Sequence, residues 1–192
     1  MIPAPDQSLL GLLRIRKPSL AAQGKLLNEA RNELGLGEED LLSPVCVAYA
    51  LMKLRVQPEE VSRLLTWREF ERLAGALLRA SGYEVRENVF LTRPRAQIDV
   101  VASGPSLTLS IDCKHYERGP GPSSTARFAE AQLKRSAHLR RKVGGTKPIA
   151  SVILSMSEPE GMFVEGVAVV PVRTLRSFLT DIDAYIGMLE LK

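Results

Sequence analysis

Apolar positions recur at helical spacing twice in the first third of the chain, over 19–34 (Leu20, Leu26, Leu27, Ala30) and 38–54 (Leu41, Leu42, Val47, Ala50, Leu51, Leu54). Gly35 and Gly37 punctuate the two stretches, and Pro58 suits the first turn of a third short helix, Glu59–Leu65. At Thr66 the signals sharpen. Thr66-Trp67-Arg68-Glu69 fits a capping box, Phe70, Leu73, Leu77 and Leu78 form one apolar stripe, and Gly82 is a natural stop. A helix is therefore predicted over 67–81. Strand propensity follows over Tyr83–Leu91, 97–103 and 106–114. A Gly/Pro-rich loop, Gly119–Pro122, leads into a helix near 124–143 that Gly144-Gly145 ends. Ile149–Ser155 is a short continuous apolar strand, Met162–Val170 another, and Thr174–Leu189 a final amphipathic helix. The order α-β-β-β-α-β-β-α predicts an α/β domain at 66–192, a mixed sheet flanked by helices. Residues 1–65 form a helical N-terminal region without a motif, suited to a DNA-binding or dimerisation module or to a brace on the main domain.

The composition, 45% hydrophobic and 25% charged over 192 residues, excludes a wholly disordered chain and a disulfide scaffold. The longest runs without Asp, Glu, Lys or Arg are twelve residues, Leu41–Met52 and Val100–Ile111. A membrane-spanning helix needs roughly twenty, so no membrane partner is expected. The chain opens with an acid at Asp6 and places its basic cluster after the apolar run, the reverse of a signal peptide, which predicts a cytoplasmic protein. Cys46 and Cys113 lack zinc-ligand spacing and read as small apolar side chains.

The net charge of +4 is too small to name a partner, but its distribution is uneven. Residues 1–65 sum to zero, whereas 114–147 carry nine basic and two acidic side chains. Such a local excess suits a surface that meets phosphates. On the basic helix, Arg127, Lys134, His138 and Arg141 fall on one stripe, with Lys142 beside it. Ala126, Ala129, Leu133 and Ala137 form a neighbouring apolar stripe for packing.

The strands near 97–103 and 106–114 are joined by the turn Ser103-Gly104-Pro105-Ser106. A hairpin closed with Ser103 opposite Ser106 sets Asp99 against Ser110 and Gln97 against Asp112. Gln97, Asp99, Ser110, Asp112 and Lys114 then project from one side of the sheet. Ile98, Val100, Leu107, Leu109, Ile111 and Cys113 project from the other, the core face. Two neighbouring carboxylates repel, and a sheet gains nothing by pairing them. A hard divalent cation supplies a reason, because Mg²⁺ takes oxygen ligands, including one or two carboxylates. A lysine two residues on reaches the same cavity, where it can polarise water or stabilise phosphate charge.

The ordered set Asp99…Asp112-Cys113-Lys114, preceded by Phe70-Glu71-Arg72-Leu73, Leu77-Leu78 and Gly82-Tyr83-Glu84-Val85, resembles the PD-(D/E)xK restriction-endonuclease-like nucleases. Within them it is most similar to Mrr-type endonucleases and archaeal Holliday-junction resolvases. The resemblance spans about 66–175. It departs from the pattern in lacking the proline before the first aspartate and in carrying Asp112 where many Mrr-like members have glutamine.

The resemblance implies a restriction-endonuclease-like core and metal-dependent hydrolysis of DNA phosphodiester bonds, in an Mrr-like or resolvase-like role. Asp99, Asp112 and the Cys113 carbonyl would hold Mg²⁺ or Mn²⁺. Lys114 would activate the attacking water, and Glu71 would bind a second metal or orient the water. The basic helix would hold nucleic acid by its phosphates, with Gln97, His115 and Tyr116 as further substrate contacts. A homodimer is expected, since one such site cuts one strand. Two alternatives stay open: a nucleic-acid-binding scaffold that kept the fold without the chemistry, and an RNA-processing nuclease.

Overall fold

The computed structural model describes residues 11, 19–116, 121–144, 146–159 and 161–192. The expected Gly119–Pro122 loop lies partly outside these residues, as does Gly145 of the helix stop. Helix α1 (Leu20–Glu33) begins at Ser19, whose side chain accepts the Ala22 N–H. The stretch expected as one helix over 38–54 is divided. A single 3₁₀ turn, Glu38–Asp40, precedes α2 (Pro44–Lys53), which starts at the Ser43 cap with Pro44 in its first turn. Proline lacks the N–H a helix interior needs, so the helix begins there. Helix α3 (Pro58–Ser62) is short, and α4 (Trp67–Ala80) carries the predicted capping box between Thr66 and Glu69.

Strands β1 (Glu84–Leu91), β2 (Ala96–Ser103) and β3 (Thr108–Lys114) form an antiparallel meander. Helix α5 (Pro122–Val143) then crosses to β4 (Ile149–Ser155), which pairs parallel with β3. The expected strand Met162–Val170 is instead a tight hairpin of β5 (Phe163–Val164) and β6 (Val167–Pro171). Glu165 and Gly166 turn it with φ of 49° and 76°, the left-handed pair that a two-residue hairpin needs. The final helix is broken into α6 (Leu175–Thr180) and α7 (Ile182–Tyr185) at Asp181, between flanking 3₁₀ turns. The six strands run in the order β1-β2-β3-β4-β6-β5, a mixed sheet.

One face of the sheet, with Val100, Leu109, Ile111, Cys113, Val152 and Val170, packs on α4 through Phe70, Leu73, Leu77 and Leu78. Burying each of these large α4 side chains contributes about 2 kcal/mol. Leu27, Cys46, Val47 and Leu51 of α1 and α2 lie in the same continuous core. The other face packs on α5 through smaller clusters around Leu139 and Ala129.

The hairpin register differs from the expectation. Ser103 pairs with Thr108, not Ser106, because the loop is the four residues 104–107, closed by the Gly104 N–H on the Leu107 carbonyl at 2.9 Å. Leu107 is buried, and folding it inward draws the pairing back by two residues on its far side and lengthens the loop. The shift is two residues, an even number, so Ser110 and Asp112 keep the face assigned to them. Ile98 does not. It packs with Val101 and Leu139 on the α5 side, next to Asn88, whose φ of 52° interrupts the β1–β2 pairing.

Candidate active site

The β2–β3 ladder ends at Val100 and Ile111. Beyond that point the Asp99 carboxylate takes the place of a backbone partner, accepting the Cys113 N–H at 2.8 Å. Asp99 thus lies beside the strand that carries Asp112 and Lys114. Asp112 is 5% exposed and is held between two cations. Lys114 Nζ lies 2.7 Å from its Oδ2, and Arg135 of α5 lies 3.2 Å from its Oδ1. Lys114 Nζ also stands over the Phe128 ring, 4.7 Å from its centroid, so α5 fixes the lysine as well as the aspartate.

Glu71 comes from the first turns of α4. It is 2% exposed, and its Oε1 has no hydrogen-bond partner. Burial, with Asp99, Glu87 and Asp112 adding their charge, pushes its carboxyl from 4.5 up to about 7. Burial likewise raises Asp99; the Cys113 N–H opposes that rise and Asp112 adds to it. Three acids from α4, β2 and β3 therefore share one electrostatic environment. The Cys113 thiol is raised by burial, with the charges of Asp99, Glu71 and Asp112 adding to the rise, and its side chain packs in the core.

Other expected contacts are placed differently. Gln97 Nε2 donates to Asn88 Oδ1 across the β1–β2 ladder at 3.0 Å, away from Asp112. His115 turns to α3, its Nε2 donating to the Ser62 carbonyl at 2.9 Å and its ring 5.6 Å from Phe70. Tyr116 is exposed and stacks on Phe128 at 6.2 Å, at the edge of the acid cluster. On α5, Arg127, Lys134, Arg141 and Lys142 are exposed, and Lys142 reaches the Phe90 carbonyl. His138 leaves the expected stripe and is 7% exposed.

The cause is the seam of α5, which runs through Thr125, Ala129, Gln132, Ser136 and Leu139. The expected apolar stripe through Ala126, Leu133 and Ala137 is only partly buried. The real seam is polar because it meets serines of the sheet. Gln132 donates to the Ser110 carbonyl at 2.7 Å and to its hydroxyl at 3.0 Å, and Ser136 accepts from Ser151 at 2.6 Å. Gln132 also accepts from Arg135 at 3.0 Å, which links the seam to Asp112. Arg135, Gln132 and Phe128 join the candidate site, although they were not among the residues expected there. Their recurrence at 128, 132 and 135 is a helical face that would have flagged them.

Among the described residues, no three carboxylate, imidazole or thiol side chains stand close enough together to hold a metal ion as they are. The donor chemistry nevertheless fits a hard divalent cation. Glu71, Asp99 and Asp112 offer only oxygen, and the buried Glu71 Oε1 lacks a partner. No described helix is long and apolar enough to cross a membrane.

The mixed six-stranded sheet with helices on both faces defines a restriction-endonuclease-like α/β fold. Residues 62–140, which hold Glu71, the hairpin and most of α5, match the Mrr-type restriction endonuclease family, a nuclease family of the PD-(D/E)xK kind. An uncharacterised protein of Archaeoglobus fulgidus is 29% identical over 132 residues, covering 64% of this chain and 96% of that protein. Two crystal structures are also similar. A protein of unknown function, AF1548, is 21% identical with a TM-score of 0.39, over 52% of this chain and 54% of that one. VC1899 from Vibrio cholerae is 17% identical with a TM-score of 0.40, over 97% of this chain and 57% of that one. The chain thus spans just over half the length of each.

Proposed function

We propose that this protein is a divalent-metal-dependent endonuclease that hydrolyses DNA phosphodiester bonds. The observation that carries the reading is the buried Glu71, unpaired at Oε1 and raised to about 7 beside Asp99 and Asp112, with Lys114 2.7 Å from Asp112. A fold gains no stability from three neighbouring acids, one of them orphaned, whereas a bound cation would neutralise them.

Asp99, Asp112, the Cys113 carbonyl and Glu71 would hold Mg²⁺ or Mn²⁺. Such an ion supplies Lewis-acid polarisation of the phosphoryl oxygens and activation of the attacking water. The residues of the chain do the rest. The Cys113 N–H orients Asp99, Arg135 orients Asp112, and Phe128 holds Lys114 where its ammonium meets the growing negative charge of the phosphoryl group. The exposed Arg127, Lys134, Arg141 and Lys142 would grip phosphates without reading bases, giving steeply salt-dependent binding. An Mrr-like or resolvase-like role with paired cuts would require two copies of the chain.

The test is cleavage of single-stranded, duplex, flapped, four-way-junction and methylated DNA, with matched RNA, in Mg²⁺, Mn²⁺ or EDTA. Cutting that needs metal and disappears in Asp112→Ala is expected, and the preferred substrate assigns the role. Binding without cutting under every condition would refute the enzyme reading in favour of a scaffold.

A further inference from the structure

Arg135, which holds Asp112, also lines a groove of about 360 Å³ between the start of β2 and the outer side of α5. Its floor is apolar, with Pro94 and Ala96 on the hairpin side and Ala137 on the helix. Lys134, ion-paired with Glu130 at 2.5 Å, and Arg141 stand exposed along it, and Arg141 meets no carboxylate among the described residues. The exposed turn beside it adds Arg95.

His138 also lines the groove. It is 7% exposed, and its Nδ1 has no hydrogen-bond partner. A buried ring nitrogen without a partner destabilises the fold. Packing does not explain it, since an aliphatic side chain would fill the same place without that cost. The groove therefore combines an apolar floor, a buried histidine ring in its lining and cations around the rim. A nucleotide has the complementary chemistry: an apolar base face, a polar base edge and flanking anionic phosphates.

We infer that the groove receives one unpaired nucleotide of the strand held at the candidate active site. The base lies on Pro94 and Ala137 with its edge against the groove-lining side of the His138 ring, and the phosphates on either side meet Lys134 and Arg141. A base inside a duplex enters such a pocket only by leaving the stack, so a bulge, flap or branch point is the favoured substrate class. The inference rests on the proposed function for the presence of a nucleic-acid strand.

The experiment is fluorescence anisotropy in EDTA with two labelled DNAs, identical except for a single unpaired nucleotide in one. The full-length protein is expected to bind the bulged DNA roughly ten-fold more tightly. Ala137→Leu, which fills the floor, and His138→Leu, which removes the unpaired nitrogen, each bring that ratio to one. His138→Leu melts no lower than the parent, which separates loss of a ligand contact from loss of the fold. Free deoxyadenosine monophosphate does not displace the bulged DNA; displacement would assign the groove to a free nucleotide and overturn the inference. Equal binding of both DNAs by the parent, or a preference that survives both substitutions, would also overturn it. Because EDTA removes cleavage from the readout, a ten-fold preference in a protein that never cuts refutes the nuclease reading and upholds the groove.

Discussion

Replacing Glu71 by glutamine should stabilise the metal-free protein, and the gain should depend on pH. A carboxyl carried from 4.5 to about 7 loses about 3 kcal/mol of folding free energy when it ionises. Relaxation of the protein around the buried charge reduces the expected effect to about 2 kcal/mol. The direction follows from linkage. A folded value above the unfolded one means that the contribution of Glu71 is most favourable below 4.5 and is lost as pH rises through about 7. Glutamine keeps the shape and cannot ionise. Thermal unfolding followed by circular dichroism in EDTA should show Glu71→Gln melting about 4–8 °C above the parent near pH 8. Near pH 3.5 the two should melt together, because Glu71 is then protonated in both the folded and the unfolded states. Adding Mg²⁺ near pH 8 should raise the parent more than the variant, since only the parent offers the cation this charge. A gain equal at both pH values, or no gain near pH 8, would refute the electrostatic account of the site.

Other substitutions probe other parts of the molecule. Lys114→Ala should abolish cleavage while gel-shift affinity for DNA stays within about three-fold, and full activity would remove Lys114 from the chemistry. Phe128→Leu should lower kcat about ten-fold with little change in KM, and Phe128→Tyr should restore it, as expected of a ring that positions the lysine. Neutralising Lys134 and Arg141 together should reduce the salt slope of DNA binding by about two; an unchanged slope would place the phosphates elsewhere. Glu33 is pushed up by burial, but hydrogen bonds from Lys53 and Tyr49 outweigh this and hold it below its ordinary value. Its contribution is therefore present near neutrality and lost as pH falls through that lowered value. Glu33→Gln should lower the melting temperature by about 2–4 °C near pH 7, and the loss should shrink steadily as pH falls below 4.5.

The elements with strong local signals were legible before any coordinates. The capping box at Thr66, the stripe on α4 and the apolar run of β4 are set by nearest-neighbour chemistry, and the structure reproduces them. The side of the sheet shared by Ser110, Asp112 and Lys114 was also legible, because alternation within one strand fixes it, whereas Glu71 was marked only by the resemblance to the nucleases. Features that depend on what packs from elsewhere were not. The hairpin register turned on whether Leu107 folds inward, which the turn sequence alone does not say. The seam of α5 was misplaced because it was sought among alanines and leucines. The surface it meets carries Ser110 and Ser151, so glutamine and serine are the residues that fit. The strand expected through Glu165-Gly166 hid a turn because valines on both sides masked it.

His115 follows Lys114 directly, yet its ring is committed to Phe70 and to the carbonyl of Ser62. The strand that bears the candidate chemistry is thereby bolted to a helix that precedes the family-matched hairpin in the chain. Val61 and Leu65, beside that bolt, are buried in the core shared with α1 and α2. A segment transplanted from the middle of this sequence would thus carry an open seam behind its own lysine. Fusion or domain-swap designs that begin at residue 66 would inherit a loosened Lys114, whereas designs that retain the preceding helices would keep that strand seated on its anchor.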